Sequence, residues 1–141
     1  MRTVATFRVL LIASAALLLA AVVLRASGAG LPPDLLAYNR KSAPLFGEWA
    51  GFANYFVGVS FLAIFAWAIV ALYLFRSLAK EAGLAALLFF AVLPIIRGPS
   101  IESGWTVSFE RLACALFAAA IVLAFATPLK ERFPHAQAPN T

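Results

Sequence analysis

Six acidic residues, one histidine, one cysteine and one methionine are all that this chain of 141 residues holds of the types that do most acid–base, redox and metal chemistry, arginine and lysine aside. One cysteine, Cys114, rules out an intrachain disulfide, a CxxC pair and a cysteine-rich metal site. Set within an apolar run, it reads as a small buried hydrophobe. The one histidine, His135, lies in the polar tail, so haem ligation by histidine inside a membrane is excluded for this chain. HExxH, GxSxG, a Walker loop and GxGxxG are all missing. No catalytic residue, metal site or cofactor is assigned, and the chain leans away from being an enzyme.

Charge is scarce too. Charged residues make up 12% of the chain and hydrophobic ones 64%, against roughly 25% and about 45–50% in soluble domains. A soluble globule could not cover so much apolar surface, so a lipid bilayer is the solvent for most of it. The net charge of +5 does not point to nucleic acid. Its basic residues form no stripe and instead sit at the ends of apolar runs, where membrane proteins keep Lys and Arg. With no repeat, linker or low-complexity tract, residues 1–141 read as a single membrane domain.

What is abundant is apolar sequence in four runs. Arg8 and Arg25 bracket the first, "VLLIASAALLLAAVVL", about 24 Å of helix and enough to span if both arginines snorkel. Its pattern also matches a signal peptide, with Ala26-Ser27-Gly28 as a small-residue cleavage site, but it is taken as a retained helix. The second run, Ala50–Phe75, has no charge and would extend about 39 Å, so it must tilt or protrude. Trp49 and Tyr73 suit interface anchors. A third run, Ala82–Ile96, follows a polar turn and contains Pro94; the fourth is Trp105–Thr127, stopped by Pro128. These runs predict an all-α integral membrane protein: four transmembrane helices, near 8–25, 49–76, 78–96 and 105–127, in a small antiparallel bundle, then a polar, frayed C-terminal tail at 128–141.

Orientation rests on the basic residues. With the N-terminus inside, Arg2, Arg8, Arg76, Lys80, Lys130 and Arg132 face the cytoplasm, and Arg25, Arg40, Lys41, Arg97 and Arg111 face out. That difference is small, and the signal-like first helix tips the reading to cytoplasmic N- and C-termini. It grows if Arg97 and Arg111 are held in ion pairs. The Ala, Leu and Arg bias points to a bacterial inner membrane.

Under that topology the unusual polar residues gather outside. In the first loop, Pro32-Pro33-Asp34 predicts the start of a short helix, since proline is tolerated in a first turn and an acid there complements the dipole. Leu35, Leu36 and Tyr38 would rest on the membrane surface, making it an interfacial connector. In the third loop, Gly98, Pro99, Ser100, Ser103 and Gly104 are turn residues. Glu110 and Arg111 lie deeper, about 8 Å along the fourth helix. An ionised group there must pair, face the bundle or reach headgroups.

Arg97 is a natural partner for Glu110, and Glu48 for Arg111. The leading expectation is an ion-pair clamp joining the outer ends of helices two, three and four. The alternative is an outward-opening polar pocket, in which Glu110 handles a cation or Arg97 and Arg111 hold an anionic headgroup. Thr106, Glu110 and Cys114 share one helical face. On helix two, Gly47 and Gly51, and Ala50, Asn54 and Gly58, recur at spacings of four, which suits close approach of another helix.

The function expected from these features is that of a non-enzymatic accessory or assembly subunit of a larger membrane complex, its partner another membrane protein or a second copy. A small homo-oligomeric transporter or channel using the Glu110 region is the alternative. A lipid- or quinone-binding membrane protein or enzyme is the third reading.

Overall fold

A computed structural model describes residues 2–41, 50–97, 101–126, 129, 132 and 133. Among them run five helices and no strand: α1 (Arg2–Ser27), α2 (Pro33–Lys41), α3 (Ala50–Tyr73), α4 (Ala79–Arg97) and α5 (Gly104–Ala126). Three stretches are long and apolar enough to cross a bilayer, Thr3–Ser27, Tyr55–Tyr73 and Gly104–Phe125. The chain is thus all-helical with three candidate membrane spans.

Local sequence explains where the helices stop. Neither glycine nor proline interrupts Arg2–Ser27, and α1 ends at Gly28, whose φ of 67° is the left-handed conformation of a helix C-cap. A Cβ there would come within 2.7 Å of Leu36 Cδ2, so that side chain would have to shift, and the left-handed φ itself favours glycine. The expected start of α2 is observed: the Pro32 carbonyl accepts the N–H groups of Leu35 and Leu36, both at 3.1 Å, with Pro33 as the first helical residue.

α3 closes by a different device. The Arg76 N–H reaches the Ala71 carbonyl at 2.9 Å and the Phe75 N–H reaches that of Leu72 at 3.1 Å, the paired bonds of a Schellman motif. Its left-handed position is filled by Phe75, φ 52°, where glycine is the usual occupant. This is why α3 stops at Tyr73 rather than at residue 76, as the apolar run had implied. At the other end of the bundle Ser103 caps α5, its Oγ accepting the Thr106 N–H at 3.2 Å.

α1 runs antiparallel to α5, and among the described residues this is the most extensive helix pairing. Small buried residues permit it: Ser14 and Ala21 on one side, Ala113, Ala120 and Ala124 on the other. Ser14 Oγ donates to the Ala113 carbonyl at 2.9 Å across the contact, in the apolar middle of both helices. Phe65 against Phe117, centroids 4.6 Å apart, joins α3 to α5; Phe61 against Phe89 and Phe90 joins α3 to α4. The small-residue pattern expected to mark close packing on α3 is only partly visible. Gly47 and the side chain of Asn54 lie outside the described residues, Gly51 is described as helical backbone alone, and Gly58 is half-buried.

Beyond α5 the chain is anchored rather than merely frayed at two points. Leu129 and Phe133 are buried, and Phe133 meets Phe75 and Phe7 at centroid distances of 5.1 and 6.5 Å. The sequence had shown only a polar tail there, because two apolar residues among prolines and charges have no helical period to reveal them.

Candidate functional site

The polar chemistry at the end of the bundle where α1 finishes and α5 begins converges on Arg25, two residues before the end of α1. Its Nη2 lies 2.7 Å from a carboxylate oxygen of Glu102 and 2.7 Å from one of Glu110. Glu102 precedes the Ser103 cap, and Glu110 lies in the second turn of α5. Antiparallel pairing of α1 and α5 brings all three to one level. The three side chains are between a fifth and a third exposed, so their attraction is screened less than that of a free surface pair. The cap beneath is dry: Ser103 and Thr106 are both buried and share a hydroxyl–hydroxyl bond of 2.9 Å.

Two cavities flank Arg25. One of about 300 Å³ lies between the end of α1, α2 and the start of α5, where Ser27, Glu102, Ser103 and Thr106 contribute polar atoms. The other, about 370 Å³, is apolar and is bounded by α1, α3, α4 and α5; Leu18, Val22, Val59 and Leu62 line it, and Arg25, Glu110 and Tyr55 are its polar contributors. The guanidinium and its two carboxylates therefore stand between a cavity with several polar lining residues and a mainly apolar one. Two carboxylates on one guanidinium leave the trio net negative, which disfavours an anion at this position.

The clamp expected from the sequence was to join helices two, three and four; the ion pairs that are described instead join α1 to the start of α5. Glu110, expected to meet Arg97, is held by Arg25; the Arg97 side chain lies outside the described residues, as does Glu48, so neither expected pair is described. Arg111 is exposed on α5. Thr106 is buried, whereas Glu110 and Cys114 are half-buried.

Arg25 and Ser14 are the residues that sequence reasoning passed over. The sequence alone reads Arg25 as an end-of-helix snorkel and does not distinguish Ser14 from the apolar run around it. A signal for the first was available: in an up-and-down bundle the first and last helices can be neighbours, which puts the end of α1 beside the start of α5. No protein-family model, curated protein or solved structure matches this chain.

Proposed function

We propose that this protein is a small non-enzymatic multi-pass membrane protein, an accessory or assembly subunit that works through its lateral surface in a larger membrane complex. In this reading α4 is a fourth span. Its 19 residues reach about 28 Å, close to a hydrocarbon core of roughly 30 Å, and it packs antiparallel to α3. An inner-membrane location with both termini in the cytoplasm completes the proposal, supported by the signal-like first helix and a small excess of basic residues on that side.

One observation carries this reading. The outward face of α3 presents Phe52, Tyr55, Phe56 and Trp67, all more than half exposed, with Phe52 and Phe56 already stacked at 6.4 Å. Large, rigid aromatic side chains are enriched at protein interfaces and lose little conformational freedom on contact. Glu110, which a transport path would need to leave available, is committed to Arg25. A photocrosslinking residue placed at Phe56 in the native membrane should yield a discrete adduct with one protein, while the same residue at exposed Val122 on α5 should give lipid adducts. Lipid adducts at both positions would remove the proposal.

The apolar cavity beside Arg25 favours a second reading, that of a lipid- or quinone-binding protein. Extraction in mild detergent followed by analysis of bound amphiphiles tests it. A stoichiometric lipid lost on Val59→Trp, which fills the cavity, would support it.

A further inference from the structure

The two ends of the bundle treat their cations in opposite ways. At the end where α1 finishes, Arg25 is answered by two carboxylates. At the other end Arg8 lies with its guanidinium carbon 4.6 Å from the centroid of the Tyr73 ring and 5.9 Å from that of Phe75. Lys80, in the first turn of α4, holds its ammonium 5.2 Å from the Phe125 centroid and 5.5 Å from that of Phe133. Phe75 and Phe133 touch, so one aromatic cluster backs both cations. Neither has a carboxylate within ion-pair distance among the described residues; Arg8 Nε, like Arg25 Nε, is buried with no hydrogen-bond partner, but only Arg25 has carboxylates at its Nη2. Arg76 and Arg132 are exposed at the same end, and Glu81, also exposed, is the one acid there among the described side chains.

Ring faces hold a cation in place but accept none of its N–H bonds in full. Arg8 and Lys80 are therefore pre-ordered, half-buried and, among the described residues, without an anion at the level where helix ends meet the headgroups. The anion present at that depth in a bilayer is lipid phosphate. We propose that Arg8 and Lys80, set on the Tyr73–Phe75–Phe133–Phe125 cluster, bind the phosphate headgroup of an anionic phospholipid. Each cation carries its own share of the attraction. The aromatic backing fixes where the headgroup sits, and the net-negative trio around Arg25 selects against anions at the opposite end.

The experiment uses the full chain in lipid-free neutral detergent, titrated with phosphatidylglycerol or phosphatidylcholine and read by native mass spectrometry. Phosphatidylglycerol should be retained in preference to phosphatidylcholine. Arg8→Gln and Lys80→Gln should each weaken its retention about fivefold and the double variant about 25-fold, as expected for roughly 1 kcal/mol per basic residue at a membrane surface. Equal retention of the two lipids, or variants that hold phosphatidylglycerol as well as the parent, overturns the proposal. Displacement by inorganic phosphate at matched concentration would assign the site to free phosphate and overturn the lipid source. Circular dichroism establishes that each variant is folded, and Lys80→Gln, at the half-buried start of α4, decides the matter if Arg8→Gln does not fold.

Discussion

Ser14 of α1 donates its hydroxyl proton to the backbone carbonyl of Ala113 in α5, at 2.9 Å, with no water-exposed surface on the serine. A hydroxyl in that position could satisfy itself on its own helix, and here it reaches across to the neighbouring one instead, fixing the register of the most extensive helix pair. Cross-helix bonds of this kind in bilayers contribute about 0.6 kcal/mol on average and at most about 1.7. Ser14→Ala should therefore lower stability by about that amount, read as unfolding of the purified protein in mixed micelles. Ser14→Leu should cost more, since it also forces α1 and α5 apart. An unchanged transition for Ser14→Leu would mean that the two helices do not meet there.

Arg25 is the hub of the end where α1 finishes and α5 begins. Arg25→Gln leaves two carboxylates in mutual repulsion, and hydrogen bonds to charged groups are each worth about 1.5–3 kcal/mol, so a loss of about 2 kcal/mol is expected after allowing for partial exposure. Glu110→Gln should cost less, because Glu102 still answers the guanidinium. Arg25→Glu combined with Glu110→Arg should recover part of the loss in a thermal-melt series. A double variant no better than the worse single one would dissociate the two residues.

Phe75 tests the left-handed cap at the end of α3. A non-glycine residue there is strained by about 1–2 kcal/mol, and the ring offsets this by stacking on Phe7 at 5.7 Å and meeting Phe133 edge-on at 5.1 Å. Phe75→Ala keeps the strain and loses the rings; Phe75→Gly loses the rings and the strain together. Both should be less stable than the parent, with the glycine variant the more stable of the pair by about 1 kcal/mol. The reverse order would mean that Phe75 is not left-handed in the membrane.

Phe133 tests the anchored tail. Phe133→Ala removes a ring that is 3% exposed, and truncations of buried aromatics cost about 3 kcal/mol or more. Limited proteolysis should then cut the segment after residue 126 faster than in the parent. Equal cutting rates would show that the segment is not held by this ring.

The sequence made the helices legible where hydrophobic runs were long and uninterrupted, as in α1 and α5, and the proline pair made α2 legible because its physics is local. It misjudged the end of α3, since nothing in "ALYLFRS" marks Phe75 as the residue that turns left-handed; tertiary stacking sets that choice. Glu110 was recognised as a charge needing an answer, because depth along a helix can be counted. The nature of the answer depended on which helix ends are neighbours, and a pairing between the first and last helices has no sequence-local trace. The Phe7–Phe75–Phe133 cluster was invisible for the same reason, its members coming from three distant segments.

Arg25 gives the molecule an order of events. A bacterial or eukaryotic ribosome releases α1 first and α5 last, yet the carboxylates that answer Arg25 arrive with α5. Until then α1 carries its cation without the two carboxylates that hold it in the finished bundle, and Ser14 lacks its Ala113 acceptor. The first helix into the membrane is thus the last to be secured, and a chain interrupted before α5 would leave α1 as an unfinished edge, open to exchange with other helices and exposed to quality-control proteases.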